Sequence, residues 1–407
     1  MTLRVLYVDF NSYFASVEQE LLPGLRGKPT AVLPVLADTT CCIAASYEAK
    51  KFGVKTGTPV REAKQLCPAI NFVEARPAIY IEYHHKLVQA VESCTHVETV
   101  CSIDEMACEL TGSQQQRSRA LALAKTIKRK IYGTVGEALR CSIGIAPNTF
   151  LAKVASDMQK PDGCVVIDDA DLPDCLYRLG LRDLCGIGRN MEKRLNEHGI
   201  DSVQKLCSAN KQQLRIAWGS IEGERIYSRL RGEIVPTLPS QRGSVGHSHV
   251  LPPQLRSRDA AYSVLHRLTQ KAAMRLRSYK RITGAMHIKV KHMNGESWEN
   301  QARLDPTQDT LQLLNALATM WKKYPKAKVV PLSVAITLSD LDEQTNQSWP
   351  LFDTGKSHDK LNAIIDSLNL RYGKNTVYFG GAHFALNSAP MRIAFNHIPD
   401  PVIEGDE

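Results

Sequence analysis

The sequence predicts an α+β protein built from several domains, and three observations carry that prediction. The chain has 407 residues, well beyond the ~150 that one domain usually takes. Strand and helix patterns interleave over residues 1 to 165 around an acidic hairpin. From residue 170 the text changes to short helical patterns, then to a basic segment in which strands and helices mix again. Hydrophobic residues at 43% and charged residues at 23% are ordinary globular usage. There is no apolar run of membrane-spanning length and no basic-then-apolar leader, so membrane-bound and secreted classes are set aside as expectations. The 11 cysteines are odd in number, lie before residue 208 and form no Cys-x-x-Cys pair, which predicts reduced thiols in an intracellular protein rather than a disulfide framework or a zinc site.

Taken in order, Leu3 to Val8 is rich in apolar and β-branched residues and ends in Asp9, a strand running into a polar element. Ser12 to Leu21 has the pattern of a short helix. Pro23-Gly24, Gly27-Lys28-Pro29 and Gly57-Thr58-Pro59 punctuate small elements, so residues 21 to 76 read as a compact insertion. A helix is expected over Ala78 to Ser93. Alternating Val97 to Ile103 and apolar Met106 to Leu110 then read as two strands whose connection is Asp104-Glu105. Arg119 to Tyr132 has helical spacing, and Arg140 to Ala146 reads as another strand.

Beyond residue 170, Leu184-Cys185-Gly186-Ile187-Gly188 and the amphipathic Arg189 to His198 read as helix, Gly-x-Gly turn and helix. Gly186 and Gly188 would let a phosphate approach the backbone amides there, although an ordinary tight αα-hairpin has the same pattern. Arg242 to Ser248 reads as a linker. Helices are expected at 258 to 278 and 308 to 323, and strands at 282 to 292 and 329 to 338. The net charge of +9 is concentrated: residues 241 to 340 hold 16 Lys or Arg against 6 Asp or Glu. Such a segment attracts a polyanion or is simply a solvated face. Further on, 359 to 371 suggests a helix and Thr376 to Phe379 a strand.

Asp9, Asp104 and Glu105 are acids that one sheet could bring together. Clustered carboxylates resist ionising unless a cation neutralises them. Oxygen donors with no His or Cys select Mg²⁺ or Mn²⁺, and paired ions of that kind suit phosphoryl displacement. Solvated turn residues would look the same by spacing alone.

The surrounding text sharpens this. Tyr7-Val8-Asp9-Phe10-Asn11-Ser12-Tyr13-Phe14-Ala15-Ser16-Val17-Glu18 and Ser102-Ile103-Asp104-Glu105 resemble the Y-family translesion DNA polymerases, nearest to the DinB or polymerase IV kind. Matching stretches follow in register at Ser46 to Val54, at Arg76 with Tyr80, at Cys141 to Ala146, and from Lys153 to Gly163. The resemblance covers residues 1 to about 235 strongly and the rest more loosely. It implies a right-hand polymerase in which 1 to 20 and 77 to 165 form the palm and 21 to 76 small fingers. Residues 166 to 235 would form a helical thumb with helix-hairpin-helix contacts, 241 to 345 a little-finger domain and 346 to 407 a tail. It implies a low-fidelity, template-directed enzyme that adds deoxynucleotides to a primer and passes damaged bases.

Residue by residue, the resemblance gives Asp9 and Asp104 two Mg²⁺ ions, with Mn²⁺ as a substitute, Glu105 the primer end of the site, and the Phe10 carbonyl a further ligand. Phe14 falls at the steric gate that excludes a 2′-hydroxyl. Tyr13, Tyr47, Lys50 and Lys160 match positions around the triphosphate. Taken alone, Phe14 would be a core residue and Lys160 a surface one. The chain departs from the family in having Lys50 where Arg is usual, which keeps the charge and loses the bidentate fork, and Ala44 where many relatives have Thr, so Ala44 receives no role. Gln347-Ser348-Trp349-Pro350-Leu351-Phe352 resembles the peptide that bacterial polymerases insert into the sliding clamp, with Gln347, Leu351 and Phe352 as anchors; packing on its own domain is the other reading. The expected partners are primer-template DNA, deoxynucleoside triphosphates and the clamp, for a monomer in the bacterial cytoplasm at the nucleoid. Two further functions share these features: a polymerase-shaped scaffold with little chemistry that recruits the clamp or repair partners, and a nucleotide cyclase with paired acids.

Overall fold

A computed structural model describes residues 2–236, 242–325, 329–346, 358–388, 393 and 398–399. Its centre is a five-stranded sheet ordered Val97–Ser102, Glu105–Glu109, Val5–Phe10, Cys141–Ala146, Cys164–Val166, antiparallel except for the last pair. Side chains alternate across a strand, and here the two faces have different cores. Leu6, Val8, Phe10, Met106, Cys108, Ile143 and Ile145 pack with the helices Pro77–Glu92 and Arg117–Thr134. Val5, Tyr7, Ala107 and Ala146 point the other way, under the helix Thr149–Met158. Asp9 and Glu105 share that second face by period, and this places them under a helix rather than in solvent.

The helix lies close because of Gly144, where a Cβ would stand 1.9 Å from the Ala152 carbonyl oxygen. The same core runs without a break into the helices Arg189–Glu197, Val203–Ser208, Lys211–Trp218 and Glu222–Arg229, through Leu184, Leu195, Leu214 and Leu230. The predicted thumb therefore has no core of its own. Asn148 ties the two parts further by donating to the Arg229 and Glu233 carbonyls, each at 2.9 Å. Residues 21 to 76 do have a separate small core, on a three-stranded sheet of Ala44–Ala45, Thr30–Leu33 and Asn71–Glu74.

The C-terminal unit is a four-stranded antiparallel sheet ordered Ser297–Thr307, Arg281–His292, Pro331–Glu343, Ser244–Val250. The helices Arg258–Ser278 and Thr310–Trp321 cover one face. The other face is open and carries Ser244, Gly246, Ser248, Ser333, Ala335, Thr337 and Ser339 beside His287, Lys289, Lys291 and Arg303.

Several expectations are corrected. The stretch read as a linker is the edge strand Ser244–Val250; its Gly and Ser content reflects an open small-residue face, with Val245 alternating inward. A strand at Ser297–Thr307, too polar on its outer face to signal itself, was not expected. The first helix of the Gly-x-Gly motif is only the 3-10 turn Leu181–Asp183. Thr376 to Phe379 is not a strand. The helix Asp359–Tyr372 docks on the sheet domain, Asp366 taking both Nε and Nη2 of Arg277 at 2.7 and 2.8 Å. That docking absorbs part of the basic surplus, as does Arg267, 3% exposed and bonded to Asn375. Gln347, Leu351 and Phe352 lie outside the described residues. All 11 cysteines are free, and no described helix is long and apolar enough to cross a membrane.

Candidate active site

Asp9 stands directly opposite Glu105 in the antiparallel register of the two central strands. Asp104, at the turn, is bound to the same strand through its carbonyl, which accepts the Phe10 amide at 2.9 Å. Sequence-distant acids are thus brought together by backbone pairing. His84, 3% exposed, holds the hairpin from behind through an Nδ1 contact of 2.7 Å to the Ile103 carbonyl.

One lysine from the covering helix and one from the loop after it meet these acids. The Lys153 ammonium touches Asp9, lies 2.7 Å from Glu105 and 3.2 Å from Asp157. Lys160 lies 2.7 Å from Asp9 and 2.8 Å from Asp157. Tyr7 donates to the other Glu105 oxygen at 2.9 Å. Burial works against the Lys153 charge, but Asp9, Glu105 and Asp157 outweigh it and hold the ammonium well above its ordinary range. Asp104 instead takes the Ser102 hydroxyl at 2.7 Å. Burial, opposed by that hydroxyl and reinforced by Glu105 and Asp9, holds its carboxyl above the usual carboxylate range.

A hard divalent cation fits this donor set. The ligands are all oxygen, and two sit opposite on paired strands. The third is penalised when ionised by burial and by its acidic neighbours, a penalty that a cation removes. Among the described residues no three ligand-type side chains converge as a ready cage. Asp104 is turned onto Ser102, and the Lys153 ammonium stands between Asp9 and Glu105.

The residues expected to meet a nucleotide are placed as follows. Phe14 is half-buried and stacks on Tyr80, ring centroids 4.4 Å apart and planes 14° from parallel. Tyr80 is fixed by Glu18, which is fully buried and accepts the Tyr80 hydroxyl at 2.7 Å and the Arg76 guanidinium. The Tyr13 hydroxyl is spent on the Tyr80 carbonyl. Its side chain is thus engaged within the fold, and its amide stands in the first turn of the helix Tyr13–Leu21. Tyr47 and Lys50 come from the small sheet domain, with Lys50 over the Tyr47 ring at 4.3 Å. Burial, with the neighbouring Lys160 ammonium, pushes the Lys50 amine below its ordinary range. Lys160 itself is held by a loop locked from below: Asn11 accepts the Asp162 amide at 2.7 Å, and Ser142 accepts the Gly163 amide at 3.2 Å. Gly186 is at φ +89°, Gly188 precedes the helix Arg189–Glu197, and both are open on the side a Cβ would occupy.

Sequence reasoning gave no role to Lys153, Asp157, Glu18 or His84. Lys153 and Glu18 fall inside the quoted motifs, and a Lys four residues before an Asp on one helix face is a readable pair. Nothing in the sequence links either lysine to Asp9.

Residues 8–157 match the impB/mucB/samB family, residues 242–350 its C-terminal domain, and residues 169–200 the IMS family HHH motif. A DNA polymerase IV of Moorella thermoacetica is 33% identical, with 92% of this chain and 94% of that protein aligned. A DNA polymerase IV of Pelotomaculum thermopropionicum is 30% identical over 93% and 94%. Among solved structures, a Y-family DNA polymerase chimera superimposes with a TM-score of 0.70 at 24% identity, covering 84% of this chain and 99% of its own. DinB from Sulfolobus solfataricus gives 0.53 at 24%, covering 83% and 98%.

Proposed function

The chain belongs to the Y-family DNA polymerases of the DNA polymerase IV kind, and from that premise we propose that Asp9, Asp104 and Glu105 hold two Mg²⁺ ions, or Mn²⁺, with the Phe10 carbonyl as a further ligand. It is a DNA-directed DNA polymerase of the translesion type, dependent on divalent metal. The pairing of Asp9 with Glu105 across adjacent strands, with Asp104 at the turn, carries the assignment. When bound, the ions lower the pKa of the primer 3′-hydroxyl and neutralise charge on the phosphates in an in-line displacement.

The protein's own residues do the rest. Lys160 and Lys50, from palm and small domain, approach each other over Asp9 and offset the triphosphate charge, with Tyr47 as a donor. Phe14, backed by Tyr80, presents a fixed ring edge where a ribose 2′-hydroxyl would collide. Residues 21 to 76 form a small unit with a small core, which encloses a nascent base pair less than a large domain would. Discrimination then rests mainly on base pairing, and damaged template bases are tolerated. Gly186 and Gly188 offer amides to the duplex backbone, and the open face of the C-terminal sheet, smooth and flanked by Lys289, Lys291 and Arg303, suits phosphates without reading sequence.

Gln347, Leu351 and Phe352 dock on the bacterial sliding clamp, which raises the effective concentration of a monomeric enzyme at the primer end. The bacterial origin of the relatives supports a place at the nucleoid in the cytoplasm. Primer extension on undamaged and abasic templates tests the reading: Asp104→Ala loses extension about 1,000-fold or more while retaining DNA binding, and extension at the wild-type rate would remove the carboxylates from the chemistry. A scaffold with little chemistry would incorporate no nucleotide in either ion.

A further inference from the structure

Lys153 is a half-buried cation that the reaction as described does not use. It sits on the helix Thr149–Met158, over the sheet face that carries Tyr7, Asp9 and Glu105, with its side chain 18% exposed. Its ammonium touches Asp9 and reaches Glu105 at 2.7 Å, so a single charge bridges the two acids that stand opposite each other. The ammonium also has a second seat, Asp157, one helical turn on at 3.2 Å, and Asp157 holds Lys160 at 2.8 Å as well.

We propose that Lys153 is a resident counter-ion that closes the metal-free site by bridging Asp9 and Glu105, and that it must retreat onto Asp157 for a divalent cation to bind.

The reason is competition for the same oxygens. A small divalent ion takes carboxylate oxygen at about 2.1 Å and cannot share the space between Asp9 and Glu105 with an ammonium already in contact with both. The two cations also repel at that range, where little water intervenes. Without Lys153, Asp9 and Glu105 would face each other with their charge compensated only through Lys160, and the hairpin that carries Asp104 would be pushed from the central strand. With it, the acids stay paired between catalytic cycles at the cost of weaker intrinsic metal affinity. Asp157 gives the displaced charge a partner, so the retreat needs only a side-chain rotation. It also draws on the carboxylate that holds Lys160, which frees Lys160 to face a triphosphate. Lys153 is in this sense a positioning residue that sets the affinity and order of metal loading.

The proposal rests on the metal-site reading above, and the experiment separates the two. Mn²⁺ binding to the full chain, without DNA or nucleotide, is followed by the loss of the free-ion electron paramagnetic resonance signal. Lys153→Gln is expected to bind Mn²⁺ about tenfold more tightly than the wild type, while melting at lower temperature in chelator. Asp157→Asn, which removes the second seat, is expected to bind about threefold more weakly. If the wild type binds Mn²⁺ through Asp9, and Lys153→Gln binds no more tightly, the role of Lys153 is overturned and the metal site stands. If neither protein binds Mn²⁺, both are overturned. Lysine ammonium NMR of the wild type reads the same event without relying on a variant that folds. A protected ammonium signal in the metal-free protein should shift on addition of Mg²⁺, and an unmoved signal overturns the retreat.

Discussion

The palm sheet and the C-terminal sheet both carry charge, in opposite ways. In the palm, Asp9 is 4% exposed, and it and Glu105 are met by Lys153 from a covering helix, with Lys160 from the loop that follows also reaching Asp9. On the C-terminal sheet, Lys291 and Arg303 lie on an open face among Ser, Gly, Ala and Thr, and Glu299 is the acid that answers Lys289 and His287. Charge turned inward acts at short range with little screening, so its geometry is specific and its loss costly. Charge turned outward is screened, and what it offers is a salt-dependent attraction to a polyanion. On the function proposed above, the contrast divides the labour of the molecule into chemistry and grip.

The strongest way to break that contrast is Asp9→Ala, which takes from Lys153 and Lys160 a carboxylate both contact and leaves the two partly buried ammonium groups to share Asp157 and Glu105. Stability is expected to fall by about 2 to 3 kcal/mol in urea unfolding, and primer extension by about 1,000-fold or more, while the salt dependence of DNA binding is unchanged. An unaltered unfolding midpoint would mean that the lysines find other partners and the inward pairing carries no stability. Phe14→Ala comes next. Single-turnover incorporation should show the preference for deoxy over ribonucleotides reduced about 100-fold, and undiminished preference would assign sugar exclusion elsewhere.

For the outward charges, Lys291→Gln with Arg303→Gln should weaken duplex binding across all sequences and lower the slope of log K against log salt by about two. The same slope in the double variant would place the duplex on another surface. The smallest effect concerns His84, whose burial holds its imidazole below the ordinary range. A histidine depressed in the folded state binds fewer protons than in the unfolded chain. Its contribution to stability is therefore complete above about pH 6.5 and is lost as pH falls toward the folded value. His84→Gln should flatten the difference between pH 7.5 and 5.5, by no more than the roughly 1.4 kcal/mol that one histidine can supply over that range, and a variant as acid-sensitive as the wild type would show that His84 does not govern this loss.

What the sequence determined by itself was whatever is written locally. Apolar and β-branched runs gave the strands Val5–Phe10, Glu105–Glu109 and Cys141–Ala146 nearly to their ends, and helical spacing gave Arg117–Thr134 and Arg258–Ser278. The motifs around Asp9, Phe14 and Asp104 pointed to the family because their residues are contiguous. The sequence failed where a segment owes its conformation to a neighbour: Ser244–Val250 is a strand because Pro331–Glu343 pairs with it, and Thr376 to Phe379 forms no ladder because side chains take its backbone, Asn369 at the Val377 amide and carbonyl and Gln270 at the Phe379 amide.

Only the tertiary structure decided which charges meet. Lys153 is 144 residues from Asp9 in sequence, Glu18 is 62 from Tyr80, and Arg277 is 89 from Asp366. No local pattern encodes such pairs. The first depends on register, on sheet face and on the close approach that Gly144 permits, and the other two on one helix docking against another; such contacts exist only once the elements have packed.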